Sequence, residues 1–340
     1  MLLSRRWTSV LLLISLLVLA TFGLASEKEE INALFEQAYE DLKSPVEEAL
    51  ESGEYAMHPG ERAYFPSISP GIVPFDQLDI AVFPAVSGNF QSTAESVITV
   101  DSSGLMTAVS EGISTVTYAG TAGEETLTII VSESVPTEHA KNMAYVALKE
   151  YYSVKRAKLP KYNQYAKWYY GKKNEVGWCS VFGIWCANAA GSNPIKKKEA
   201  VDIPETDTLY LREGQVGNQY DGFFKLERFG SIPRIGYMAI YAEMNNAYRT
   251  THIGIVVDVQ ERGDGVYQVT TVEGNMSNSV KSYCYLYDSK AANDRVGTEK
   301  GLKLQWNMYE IPKEEQTDPL VQYALHTDHW SVFGFCETWR

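Results

Sequence analysis

Along the chain the apolar residues change their spacing several times. The first 25 residues carry Arg5 and Arg6 and then "WTSVLLLISLLVLATF", which is apolar at nearly every position. From 26 to 52 the spacing turns helical. Ile31, Leu34, Phe35, Ala38 and Leu42 recur at helical intervals among Glu and Lys, until Pro45 interrupts. This stretch predicts a helical spacer. Over 53 to 134 the period falls to two. Leu78, Ile80 and Val82 alternate with Asp79, Ala81 and Phe83, and Leu127, Ile129 and Val131 alternate with threonine and its neighbours. Turn pairs recur at Pro70-Gly71, Ser87-Gly88, Ser103-Gly104 and Ala122-Gly123. Short alternating strands with regular turns predict a β-sandwich.

Ser132 to Thr137 forms a linker, and Thr137 is placed to cap a helix. Ala140, Met143, Ala144, Ala147, Leu148 and Tyr151 give that helix one apolar stripe. Further on, "CSVFGIWCANAA" is apolar on nearly every side, which predicts a buried helix ended by Gly191 with Pro194 beyond. "HIGIVVDVQ" and "VYQVTTVEGN" then read as two strands joined at Arg262–Gly265. Residues 138 to 340 therefore form one aromatic-rich α+β unit.

Composition narrows the function. The chain has 340 residues, 45% hydrophobic and 21% charged, with a formal charge of −13. A basic pair, an apolar run and the small residues Gly23-Leu24-Ala25 predict an export signal over 1–25. The alternative is an uncleaved anchor, because Trp7 to Ala25 is nearly long enough to span a membrane. A chain starting at Ser26 keeps 28 basic and 43 acidic residues, or −15. That balance argues against a nucleic-acid binder, which needs a basic footprint. The expected location is secreted or at the cell surface, where disulfides are permitted.

The chemistry centres on "VGWCSVFGIWCANAAG". Cys179 and Cys186 lie seven positions apart on the predicted helix, or about 10 Å at 1.5 Å per residue. A disulfide needs Cα atoms about 4.4–6.8 Å apart, so the pair is excluded. Two-turn spacing is also not a usual zinc pair, and no cofactor or metal is expected. Cys179 instead falls at the helix N-terminus, where free N–H groups and the helix dipole favour a thiolate nucleophile. Such a nucleophile needs an imidazole. His58 lies in the sandwich, His139 in the first turn of a helix, and His326 and His329 in a polar loop. His252 opens a strand. If Arg262–Gly265 are unpaired, Glu261 faces Val266 and His252 comes opposite Asn275, with Glu273 two positions along on the same face. A histidine with an acid and an amide on one surface is how an imidazole is oriented by a third group.

Two resemblances follow. "AESVITVDSSGLMTAVSEGISTVTY" resembles the bacterial Ig-like domain of group 2, which implies a spacer or adhesive module over 53–134 with a cell-surface ligand and no catalytic residue. Residues 138–340 resemble the CHAP family, the cysteine- and histidine-dependent amidohydrolases and peptidases of bacteria and phages. The matching pieces are "NQYAKWYYG", "WCSVFGIWCANAAG", "IPRIGYMAIY", "HIGIVVDV", "VEGN" and "WSVFGFCETW", in that order. The resemblance implies a papain-like (NlpC-type) α+β fold with an antiparallel sheet, acting on amide bonds of peptidoglycan or a cell-wall peptide. It implies Cys179 as nucleophile, His252 as general base and then acid, Glu273 orienting the imidazole, and Asn275 as a second orienting or polarising group. Trp178 is a candidate to line the substrate groove. Two departures stand out. The family's Pro-Gly-Asp is replaced by Arg234-Ile235-Gly236-Tyr237, and Lys290–Gln322 is longer and more charged than the family's minimal end.

The expected function is a secreted thiol hydrolase of peptidoglycan, either N-acetylmuramoyl-L-alanine amidase or peptide endopeptidase. The contrasting class is a cell-surface binding protein carrying an inactive CHAP domain. Cys284 and Cys336 fall on predicted strands, where a disulfide between them is open.

Overall fold

The computed structural model describes residues 27–66, 88–120, 123–172, 177–192, 194–202, 208–294, 303–323, 325 and 329–340. The export segment, the strand over 78–82 and His326 lie outside the described residues. Among the described residues no helix is long and apolar enough to cross a membrane. The protein is mixed α and β, and among the described residues every pair of strands but one is antiparallel.

Helix α1 (27–41) is followed by α2 (Pro45–Ser52). Ser44 and Glu47 cap α2 reciprocally, each side chain accepting from the other's backbone N–H, and Pro45 fills the first helical position. The 26–52 stretch is helical, but α1 is not a spacer. Phe35 is fully buried in the main core, 5.3 Å from the Tyr151 ring, and the Arg156 guanidinium covers its ring. Its apolar stripe is short, so the sequence pattern did not say what the stripe meets.

Strands β1 (Glu54–Met57), β2 (Arg62–Tyr64), β3 (Gly88–Ser92), β4 (Ile98–Val100), β5 (Leu105–Ala108), β6 (Gly112–Gly120) and β7 (Gly123–Val131) form two sheets, ordered β1-β7-β6-β3 and β2-β5-β4. The pair β1/β7 is the parallel one. Met57, Phe65, Ile98, Met106, Val116 and Ile129 come from both sheets into one shared core. Period two thus did its expected work: alternate residues of β7 point inward.

Helix α3 (Glu138–Val154) begins at Thr137, whose hydroxyl accepts from the Ala140 N–H, and buries the predicted stripe. The linker before it is not loose. Glu61 of the β module accepts from the Glu138 N–H at 2.6 Å, and Lys141 Nζ donates to Ala56 O at 3.3 Å. His139 Nε2 lies 3.1 Å from Arg62 O, and the His58 ring meets Trp339 edge-on at 5.2 Å.

After α3 come α4 (Gln164–Tyr170), α5 (Cys179–Ala189) and α6 (Val216–Lys225). Strands β8 (Phe229–Gly230), β9 (Met238–Glu243), β10 (Asn246–Gly263), β11 (Val266–Glu273), β12 (Lys281–Asp288), β13 (Met308–Tyr309) and β14 (Trp330–Cys336) form a seven-stranded sheet, ordered β13-β12-β11-β10-β9-β14-β8. One face, with Ile240, Ile253, Ile255, Val272 and Phe333, packs on the helices. The other, with Tyr237, Tyr241, Val256, Val269, Tyr285 and Phe335, makes a second core. The described part of Lys290–Gln322 belongs to this fold. Asn293 and Asn307 are fully buried and donate to Val332 O at 3.0 and 2.8 Å, beside the register shift in β14.

The β10/β11 hairpin turns at Asp264-Gly265, both with positive φ (55° and 79°), so the loop has two residues and not four. Glu261 faces Tyr267 and not Val266. Register shifts between Glu261 and Gly263 and between Val256 and Asp258 each take up one extra β10 residue. Beyond them Ile255 pairs with Val272, which is the phase that sets His252 toward Asn275.

Candidate functional site

Cys179 is the first residue of α5. Trp178 occupies the cap position and gives no side-chain cap, so the first-turn N–H groups are left to other acceptors. The helix behind the thiol is fixed on all sides. Ser180 Oγ donates to Glu213 O at 2.6 Å, and Tyr165 packs on Trp178, Phe182 and Trp185 with ring centroids 5.1–5.4 Å apart. Tyr165 is itself set by α4, where Asn163 caps the helix. Cys179 is half-buried, whereas Cys186, Cys284 and Cys336 are buried. Burial pushes the Cys186 and Cys336 thiols well up and raises that of Cys284.

All four cysteines are free. Cys186 lies two turns along α5 from Cys179, as helix geometry requires. Cys284 sits on β12 and Cys336 on β14, with β11, β10 and β9 between them. At about 4.8 Å per strand that is far beyond disulfide reach.

His252 enters from β10 and is buried. Its Nε2 lies 3.0 Å from Glu273 Oε2. Burial alone would lower the imidazole's affinity for a proton. Hydrogen bonds to Cys179 and Glu273, and the charges of both, outweigh it and raise the pKa from 6.5 to about 10. Since Nε2 is committed to Glu273, Nδ1 is the nitrogen left for the Cys179 thiol. The Tyr241 and Trp330 rings lie nearly parallel to the imidazole, with centroids at 6.0 and 5.7 Å.

Glu273 is fully buried at the end of β11. Room for it comes from Gly254 on the neighbouring strand, where a Cβ would stand 2.8 Å from Glu273 Cγ. Asn275 follows in the turn with φ of 66°, and its Nδ2 lies against the Gly177 backbone, 3.3 Å from where a Cβ would be. It therefore lies beside the segment that leads into Cys179.

The structure brings Cys179, His252 and Glu273 into one hydrogen-bonded row, with Asn275 beside Gly177, two positions before Cys179. It does not present Trp178 to a substrate. That ring is 0% exposed, stacked on Tyr165 and covered by the Gly274 turn, so the groove assignment is corrected to a packing one. The Arg234–Tyr237 segment has a structural job: the Tyr237 hydroxyl donates to Trp339 O at 2.8 Å.

Sequence reasoning passed over Tyr241, Thr271 and Trp330. Tyr241 pairs directly with His252 across β9/β10, and Thr271 precedes Glu273 by two on the same face. The period-two set Thr271–Glu273 carried the signal, as did the position opposite His252. The second needed the β9 register, which the sequence alone leaves open. No family model, curated protein or solved structure matches the chain.

Proposed function

We propose that the protein is an exported thiol hydrolase that cleaves amide bonds of peptidoglycan. The reading rests on one observation: a half-buried cysteine at a helix N-terminus shares a buried histidine with a fully buried glutamate. His252 holds the proton given up by Cys179, and the thiolate sulfur attacks the carbonyl carbon. The tetrahedral oxyanion is held by the Cys179 backbone N–H at the α5 N-terminus. Collapse breaks the C–N bond, and His252 returns the proton to the leaving amine. Water, activated by the same imidazole, hydrolyses the acyl-enzyme and frees the thiol. Glu273 keeps the imidazole in the needed tautomer and stabilises the imidazolium. Asn275, beside Gly177, polarises or orients at the same centre.

On this reading 138–340 is a papain-like domain of the CHAP type and 53–134 an Ig-like module with a cell-surface ligand. Residues 1–25 carry the chain out of the cytoplasm. The supports are the motif order in the sequence and two small sheets sharing a core.

The test is lysis of purified peptidoglycan. Cys179→Ala should lower the rate at least about a thousandfold, because both the nucleophile and its covalent route are lost. Lysis equal to the parent's sinks the proposal. Mass spectrometry of the released fragments then separates amidase from endopeptidase by whether free stem peptides or cut peptides appear.

A further inference from the structure

Glu273 is more tightly held than an orienting acid requires. Oε2 accepts from His252, while Oε1 accepts two hydroxyl protons, from Tyr241 at 2.9 Å and Thr271 at 2.7 Å. Both donors are buried, and Thr271 and Glu273 are each 0% exposed. The proton count sets the direction of the chain. Each hydroxyl has one proton. Tyr241 and Thr271 spend theirs on Glu273, so the 3.0 Å contact of Tyr241 with Tyr285 is made by the Tyr285 proton. The order is Tyr285 to Tyr241 to Glu273, on one face of three neighbouring strands and the β9 strand beside them.

We propose that Tyr241 and Thr271 are positioning residues of the hydrolase site, holding Glu273 ionised and aimed so that Oε2 meets His252. This rests on the thiol-hydrolase reading above. Two donors on Oε1 mean that the carboxylate cannot tilt away from the imidazole without stranding two buried hydroxyls, while a half-turn only exchanges its two equivalent oxygens. They also supply the hydrogen bonds that a carboxylate in a dry site needs to keep its charge; stripped of them, burial favours its protonated form. A neutral acid would no longer support an imidazolium. The charged and titratable groups around the pair are Cys179 from α5, Tyr241 from β9, and Tyr283 and Tyr285 from β12.

The experiment reads the charge on His252 without any wall substrate. Iodoacetate and iodoacetamide alkylate the same sulfur, but only iodoacetate is drawn by an imidazolium. The ratio of their rate constants at Cys179, followed by mass spectrometry of the labelled peptide, therefore falls as His252 loses its proton. Tyr241→Phe and Thr271→Val should each move that fall to lower pH, and the double variant by about one unit or more. Peptidoglycan lysis should drop about tenfold for each single change, as for a slightly misplaced catalytic group. In a Glu273→Gln background, Tyr241→Phe should add nothing, because it acts through the carboxylate. A midpoint unmoved in folded single and double variants overturns the proposal. So does a full shift that persists beside Glu273→Gln, which would assign the effect to ring stacking. If the parent itself labels Cys179 no faster than Cys186, Cys284 and Cys336, the thiol–imidazole reading falls first, and the two failures are told apart.

Discussion

At the scale of single residues, the site is governed by how closely β10 and β11 approach. Gly254 is the residue that lets Glu273 lie flat across the strand, since any Cβ there would press on Glu273 Cγ from 2.8 Å. Gly254→Ala should therefore displace the carboxylate, and with it the imidazole. Lysis of purified peptidoglycan should fall about a hundredfold, with a stability loss of about 1–3 kcal/mol by urea denaturation. Activity within twofold of the parent would show that the carboxylate position does not matter. Cys179 and Glu273 were legible because each is a reactive type at an element's end, whereas His252, expected to open its strand, lies inside β10. Trp178 stood between two readings because a large aromatic beside Cys179 suits both a groove and a core, and composition alone does not separate them. Burial does, and here it is complete.

At the scale of elements, the hairpin shows why a count can reach the right phase by the wrong route. Four β10-side residues are surplus to the ladder, but they are spread out. Two make the Asp264-Gly265 turn, and two are absorbed by register shifts further along. Counting all four as loop gives a wrong partner for Glu261 and leaves the His252 end in phase. Bulges leave no period-two signature over so short a run, so they are invisible until the partner strand is placed. Helix α1 shows the opposite limit. Its helical spacing was plain, but its docking on α3 is a long-range contact that no local pattern encodes. Phe35→Ala should cost about 3–5 kcal/mol, measured as a fall in urea midpoint at unchanged m-value. A loss under 1 kcal/mol would mean that α1 contributes little to the core.

For the whole molecule, the β module and α3 meet at a buried acid. Burial first, and then the Glu138 charge, push the Glu61 carboxyl up from 4.5 to about 8. The folded protein thus keeps a proton that the unfolded chain releases. Its contribution to stability is complete below about pH 4.5 and is lost as pH rises through 8, at up to about 1.4 kcal/mol per unit. Burial raises Glu138 in the same direction, while Lys141 beside it opposes the shift. Glu61→Gln should flatten the fall in urea midpoint between pH 5 and 8 relative to the parent. An unchanged slope would remove Glu61 from the account. A linker was expected at 132–137 because its composition is that of one. The joint comes from the contacts of Glu61 with Glu138 and of His58 with Trp339, partners far apart in sequence.

The seat of Phe35 also carries a consequence for the order in which the chain folds. Roughly a hundred residues separate Phe35 from Tyr151, its partner in the core. Helix α1 is therefore among the last of the described elements to find its place, because it waits for α3 and the sheet behind it. Closing so long a loop costs entropy that grows slowly with its length. The two small sheets lie within that loop and have a core of their own, so once formed they shorten the free chain left to close. The β module thus acts in time as well as in space, as a folded bead that brings the two ends of the loop together.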